Sequence, residues 1–223
     1  MSDPLGFSIY RAPPAPPAGV VQALESLAVS HLSDVMHRSR STGALRPYAM
    51  PTARLCGPAL TVRVAVGDHL MVQKALDLAQ PGQVIVVDAR GYLEAAMAGE
   101  IMTRHARSRG IAGFVIDGAI RDLDYIGAQD LPVYARGATP AGPTRRGPGE
   151  IHVTVQVGGM VLAPGDIICG DMDGLVSVPC DAALQIADQV ASLQRKEKAA
   201  IGAIETGTLD RGWIDEALRA NRP

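Results

Sequence analysis

Gly113-Phe114-Val115-Ile116-Asp117-Gly118-Ala119-Ile120-Arg121-Asp122 is the stretch on which the reading of this chain turns. The segment it opens on, Ala112 to Asp117, is short and mostly apolar, which suits a strand buried on both faces of a sheet. Gly118 then reads as a turn, and the chain delivers Arg121 and Asp122 together just past it. Val84-Ile85-Val86-Val87-Asp88 is a second segment of the same kind. Between the two, about Ala95 to Arg109 reads as a helix that Gly99 could break and Gly110 stops.

Working outward, Leu60 to Val66 alternates as a half-buried strand. Asp68 begins a helix through Ala79, ended by Pro81-Gly82. Downstream of Asp122, Arg121 to Ala128 suits a short helix and Leu131 to Ala135 a strand. Ala138 to Gly149, rich in Pro, Gly, Thr and Arg, reads as a long loop. Val153–Val157 and Met160–Leu162 pair around Gly158-Gly159, a hairpin signal. Ile167–Asp171 and Leu175–Pro179 are two more strands. Asp181 is the expected cap of a long helix from Ala182 to about Thr206, and Leu209 to Arg219 adds a short one. Upstream, Val20 to His37 has helical spacing, with Ser30 or Ser33 able to cap a second helix inside it. Residues 1–19, with Pro13-Pro14 and Pro16-Pro17, read as a flexible Pro-rich arm. No repeat or linker divides residues 20–223, so they are expected to form one α/β domain with helices flanking a sheet core.

Composition narrows the function. The chain has 223 residues, 47% apolar and 20% charged, with net charge −2. That supports a packed core and offers no basic field for nucleic acid. Aromatic residues are only 4%, so the core must come from Ala, Val, Ile and Leu. Cys56, Cys169 and Cys180 have no metal-type spacing and read as free thiols in a reducing compartment. There is no signal-peptide pattern and no apolar run of the roughly 20 residues a membrane span needs. A cytoplasmic protein with no membrane or nucleic-acid partner is the expectation.

Three features carry chemistry. Arg121 offers a planar fork for a carboxylate and Asp122 hard oxygens for Mg²⁺ or Mn²⁺, which together suit a chelated anionic substrate. Taken alone, the pair reads first as a surface ion pair at a helix start, where Asp is favoured anyway. In Gly99-Glu100-Ile101-Met102, a break at Gly99 would free the amides of Ile101 and Met102 to bind an anion, with Glu100 beside them; the alternative is a helix that tolerates one glycine. Asp88 and Arg90 also sit near a strand end, and Arg90 reads as structural. His31, His37, His69, His105 and His152 lack ligand spacing and read as structural or surface residues. No nucleophile elbow, Walker loop or dinucleotide fingerprint is present.

In this order, Ser33-Asp34-Val35-Met36, Gly57 to Val62, Pro81 to Asp88, Gly99-Glu100, Gly113 to Asp122, Pro164-Gly165-Asp166 and Asp171 to Pro179 resemble the RraA-like family, which includes 4-hydroxy-4-methyl-2-oxoglutarate aldolases. The resemblance spans roughly Leu27 to Thr206. It implies an α/β/β/α sandwich of the swivelling-domain type, assembled as a homotrimer or homohexamer with active sites between subunits. It implies a divalent-metal-dependent lyase acting on a small 2-oxo acid through a pyruvate enolate, with oxaloacetate decarboxylation as a related activity. Arg121 then matches the residue holding the substrate's carboxylate and keto oxygens, and Asp122 the residue binding Mg²⁺ or Mn²⁺. Gly99, Ile101 and Met102 match the loop whose amides hold the pyruvyl carboxylate, and Glu100 a carboxylate around the metal's waters. Glu197 matches an acidic residue reaching a neighbouring subunit's site, with Glu205 as a rival on the same helix. The family also contains non-catalytic proteins that bind and inhibit a ribonuclease. Those carry Asn at the position of Asp122, so the Asp favours the lyase.

Overall fold

The computed structural model describes residues 6–49 and 54–220. In chain order the strands are β1 (Phe7–Ile9), β2 (Ser41–Thr42), β3 (Arg46–Pro47), β4 (Leu55–Val64), β5 (Val84–Ala98), β6 (Gly113–Ile120), β7 (Val133–Ala138), β8 (Gly149–Ile151), β9 (Val155–Val157), β10 (Met160–Leu162), β11 (Ile167–Asp171) and β12 (Gly174–Val178). The helices are α1 (Val20–Leu24), α2 (Val29–Val35), α3 (Leu70–Leu78), α4 (Glu100–Ser108), α5 (Leu123–Gly127), α6 (Ala183–Glu205) and α7 (Gly212–Ala220).

β4, β5, β6 and β7 run parallel as neighbours, joined through α3, α4 and α5. β4 does double duty. Its first residues, Leu55 to Pro58, pair antiparallel with β11, and Ala59 to Arg63 pair parallel with β5. One strand therefore belongs to both halves of the sheet and folds them over each other.

Side-chain alternation then produces three apolar layers. Ile85, Val87, Phe114 and Ile116 face Met71, Val72, Ala75 and Leu76 of α3, Met102 and Ala106 of α4, and Ile126 of α5. Val84, Val86 and Val115 point the other way, against Val155, Val157, Leu162, Ile168 and Leu175. Ile167, Cys169, Val176 and Val178 pack in turn on Leu24, Leu32, Ile186 and Val190 of α1, α2 and α6. Helices, sheet, sheet, helices is the α/β/β/α sandwich expected. Each fully buried Val, Ile or Phe in these layers contributes about 1.5–3 kcal/mol relative to exposure.

Several local expectations change. Ala95 to Ala98 are strand, not helix: β5 continues past Asp88 through irregular register shifts to pair Ala96 with Ala119 and Ala98 with Ile120. Burial of these small side chains against β6 outweighs the helix propensity of Ala. Asp88 is consequently not at a strand end, and it lies 4.0 Å from Arg63. Gly118 is not a turn but lies inside β6, where a Cβ would come within 3.1 Å of the Tyr92 carbonyl oxygen. Neither Ser30 nor Ser33 caps α2; Asp171 does, accepting from the Val29 amide at 3.0 Å. Asp181 makes no side-chain cap on α6, which begins after Ala182. Within the Pro-rich segment, residues 1–5 lie outside the described residues, and Phe7–Ile9 pairs parallel with β8.

Candidate active site

The carboxyl ends of parallel strands are where such sheets bind ligands. Here β5 and β6 end as paired neighbours, Ala98 opposite Ile120. Gly99-Glu100 and Arg121-Asp122 therefore leave the sheet side by side, and the Arg121 amide donates to the Ala98 carbonyl at 3.0 Å. α4 starts from one strand end and α5 from the other.

Asp122 adopts a left-handed backbone, φ 60° and ψ 46°, which Asp tolerates better than most residues. Its Oδ2 accepts from the Glu100 amide at 2.9 Å and lies 3.7 Å from Arg121 Nε. Among the described residues its Oδ1 has no hydrogen-bond partner. Gly99 explains this closeness: a Cβ there would overlap Asp122 Oδ2 and Arg121 Cγ. The glycine in Gly99-Glu100 is thus required by approach of the neighbouring strand end, and it does mark the start of a helix.

The first amides of a helix have no partner within it. In α4 the Glu100 amide is taken by Asp122 and the Thr103 amide by the Gly99 carbonyl, at 3.1 Å. The amides of Ile101 and Met102 stay free among the described residues. They adjoin a cavity of about 60 Å³ whose lining includes Gly99, Met102, Arg121, Asp122, His69 and Arg145. A wider depression of about 400 Å³ opens on the other side of Arg121 and Asp122, along Ala138, Thr139 and Pro140.

His69 and Arg145 were not singled out by the sequence. His69 is buried at the start of α3, beyond the end of β4. Its Nδ1 lies 3.3 Å from the Met97 carbonyl, and Arg145 Nε donates to its Nε2 at 3.2 Å. Both contacts fit one neutral tautomer, with the proton on Nδ1. Burial pushes the imidazole pKa below its ordinary 6.5; the Met97 carbonyl opposes this, Arg145 adds to it, Asp68 opposes it and Arg121 adds to it. Asp68 anchors the long loop, accepting from Thr144 Oγ1 at 2.7 Å and the Arg146 amide at 2.6 Å. Burial would raise its pKa, but these bonds and that from Leu70 bring it below 3.8.

The family described as "RraA-like: Aldolase/RraA" matches residues 29–177 of this chain. A protein of Halalkalibacterium halodurans named "Putative 4-hydroxy-4-methyl-2-oxoglutarate aldolase" is 40% identical over 74% of this chain and 79% of its own. The chain belongs to the RraA-like family. Among solved structures, this RraA-like chain is similar to an uncharacterized protein from Pseudomonas syringae pv. tomato, with TM-score 0.76 and 27% identity over 87% of this chain and 96% of the other. It is also similar to the RNA-processing inhibitor RraA from Thermus thermophilis, with TM-score 0.64 and 31% identity over 69% and 93%.

Arg121, Asp122, Gly99, Ile101 and Met102 of this RraA-like chain come together at one cavity. The carboxylate of Glu100 does not join them, and Glu197 is the residue expected to reach a neighbouring subunit's site. Glu100 turns its carboxylate along α4, where Oε1 accepts from Arg104 Nε at 2.8 Å and Nη2 at 2.7 Å; only its backbone amide serves the site, through Asp122. Glu197 lies in the opposite outer layer, its Oε2 2.6 Å from His31 Nε2, tying α6 to α2.

Among the described residues no three His, Cys, Asp or Glu side chains cluster as a metal cage. A single half-exposed carboxylate with one oxygen available, beside free anion-binding amides, is a donor set that fits Mg²⁺ or Mn²⁺. Mg²⁺ keeps several waters and is bound through one or two carboxylates plus substrate oxygens. No described helix is long and apolar enough to cross a membrane.

Proposed function

We propose that this RraA-like chain is a divalent-metal-dependent carbon–carbon lyase acting on a small 2-oxo acid, either 4-hydroxy-4-methyl-2-oxoglutarate or a close analogue, and on oxaloacetate. The observation that carries this reading is the convergence on one cavity of Arg121, the free Ile101 and Met102 amides, and an Asp122 carboxylate with an open oxygen. The relative named for such an aldolase supports it.

In this scheme the substrate's C1 carboxylate sits on the Ile101 and Met102 amides at the positive end of α4. Arg121 donates to the carboxylate and to the 2-keto oxygen. Asp122 would hold the metal through Oδ1, while its Oδ2 stays tied to α4. Mg²⁺ or Mn²⁺ supplies Lewis acidity toward the keto oxygen, where charge grows as the bond breaks. The C4 hydroxyl passes its proton to a water in the cavity as the C3–C4 bond breaks. C4 becomes a carbonyl, and C3 leaves as the enolate of pyruvate. Arg121 faces the enolate oxygen with a donor already in place, the arrangement that stabilises developing charge most. Protonation at C3 completes pyruvate. Loss of CO₂ from oxaloacetate yields the same enolate, so one site serves both.

Glu100 enters this scheme only by leaving Arg104, a half-exposed pair that costs little to separate. Assembly as a trimer or hexamer belongs to the proposal. Ile101, 80% exposed at the cavity rim, is the kind of surface a second copy would cover, and Glu197 would come from such a neighbour.

The likeness to an RNA-processing inhibitor favours one other reading, a non-catalytic protein that binds a ribonuclease. One assay separates them. The protein is mixed with oxaloacetate or 4-hydroxy-4-methyl-2-oxoglutarate, with Mg²⁺ or with EDTA, and pyruvate is followed by a coupled dehydrogenase. The lyase releases pyruvate above the protein-free rate only with metal; no such release from either substrate leaves the inhibitor reading.

A further inference from the structure

We propose that His69 is a positioning residue that aims Arg145 at the cavity, and that through Arg145 it selects substrates carrying a second carboxylate. The inference rests on the reading above that the cavity takes a 2-oxo acid.

The two cations of the cavity are held differently. Arg121 has a carboxylate beside it, Asp122. Arg145 has none among the described residues; its side-chain partner is the imidazole of His69. Arg145 is exposed at the cavity mouth, and a guanidinium held there offers a ligand carboxylate a bidentate, charge-assisted partner. Its backbone is fixed as well. Thr144 forms a parallel bridge with Asp68, its amide donates to the Gly67 carbonyl at 2.8 Å, and its carbonyl accepts from the His69 amide at 3.1 Å. On the far side, the Arg146 amide donates to Asp68 at 2.6 Å. The Gly67–His69 segment thus clamps the chain on both sides of Arg145, and the His69 ring takes its Nε.

That bond consumes one donor and leaves the guanidinium's terminal nitrogens without a partner among the described residues. It requires an acceptor at His69 Nε2, which the Met97 carbonyl provides by holding the proton on Nδ1. Charge counting agrees. Arg121, Arg145, Asp122 and the adjoining Asp68 sum to 0 with His69 neutral, and a divalent ion raises this to +2. A monocarboxylate offsets half of that charge, whereas a dicarboxylate balances it. The C1 carboxylate takes Arg121 and the α4 amides, and Arg145 is left for the distal one.

The test compares wild type with His69→Leu, His69→Gln and Arg145→Gln in the full chain. Steady-state pyruvate release is measured from oxaloacetate and from 4-hydroxy-2-oxopentanoate, which lacks a distal carboxylate. Calorimetric binding of 2-oxoglutarate and of pyruvate, each with Mg²⁺, gives a readout independent of turnover. Losing a hydrogen bond that orients a charged group is expected to raise the oxaloacetate KM of His69→Leu by about tenfold, with kcat within about threefold. Binding of 2-oxoglutarate weakens in parallel, and handling of 4-hydroxy-2-oxopentanoate and pyruvate stays unchanged. His69→Gln, whose side-chain oxygen can accept from Arg145, recovers most of the loss. Arg145→Gln reproduces the selectivity change without disturbing the buried position, which covers the case of a His69→Leu protein that does not fold. Equal losses on both substrate classes, or none, overturn the proposal while the lyase reading stands. A wild-type protein that neither turns over nor binds any 2-oxo acid overturns both.

Discussion

Asp122 and Asp166 are two aspartates at opposite ends of the parallel strands, one past the end of β6 and one beside Ala59 of β4, and they are satisfied to different degrees. Asp166 stands just before β11. Its Oδ2 accepts from Arg40 Nη1 at 2.9 Å, Ser177 Oγ at 3.0 Å and the Ala163 amide at 3.0 Å, and the residue is 7% exposed. Asp122 is exposed and accepts a single amide, also on Oδ2; in both residues Oδ1 has no partner among the described residues, so the difference lies in burial and in three donors against one. The same contrast holds for the cations, Arg40 being locked on Asp166 while Arg145 rests on a neutral imidazole. A folded chain satisfies its buried polar groups. Asp122 and Arg145 lie at the surface, where their free atoms are open to solvent or to a ligand, and the proposed site is on that face.

The sharpest way to break this comparison is to treat both aspartates alike. Asp166→Ala strands a partly buried Arg40 and is expected to cost about 3–5 kcal/mol of stability. Chemical denaturation measures this, and a loss under about 1 kcal/mol would remove the contrast. On the open face the largest effect falls on chemistry. Arg121→Ala is expected to lose roughly 2–5 kcal/mol of transition-state stabilisation in kcat/KM, with an unfolding midpoint near wild type. Unchanged kinetics would exclude Arg121 as the group that holds the substrate's carboxylate and keto oxygen.

Gly99→Ala is a subtler probe of the same face. The added methyl meets Asp122 Oδ2 and Arg121 Cγ, so it should push both out of place at about 1–3 kcal/mol of stability and lower activity more than proportionately. Wild-type kinetics in that variant would show that the spacing of the two strand ends is not critical.

The smallest effect is electrostatic. His69 and His152 both have pKa values lowered below 6.5, by burial first in each case. Below about 6.5 the unfolded chain takes up protons that the folded chain does not, so stability present above that pH declines as pH falls. Melting temperatures from pH 7.5 to 5 should drop, and a His69→Gln/His152→Gln variant should flatten the slope. A variant slope as steep as wild type would assign the effect elsewhere.

The same comparison explains what could be seen in the sequence. The buried strands around Val84–Val87 and Gly113–Ile116 were legible because burial on both faces leaves a short, mostly apolar run. Arg121 and Asp122 followed from their place after that run, and Gly99 from a glycine just before a charged residue and an apolar pair. The rest depends on contacts distant along the chain. His69 and Arg145 are 76 residues apart, and the Asp171 cap on α2 lies 142 residues from its amide. Neither contact leaves a local period or spacing. Ala95 to Ala98 misled for the opposite reason: their local preference is helical, and pairing with β6 overrides it. Glu100 was legible as a carboxylate at the right place in sequence, but its rotamer was not, and it pairs with Arg104.

The most direct measurement is the Mg²⁺ dependence of pyruvate release from oxaloacetate, compared between wild type and Asp122→Asn with protein-free controls at each metal concentration. Wild type should show a saturable rise with Mg²⁺, and Asp122→Asn should stay at the protein-free rate with an unchanged melting temperature. An Asp122→Asn protein that keeps the wild-type Mg²⁺ response would contradict the assignment of this carboxylate, and with it the account of the open face.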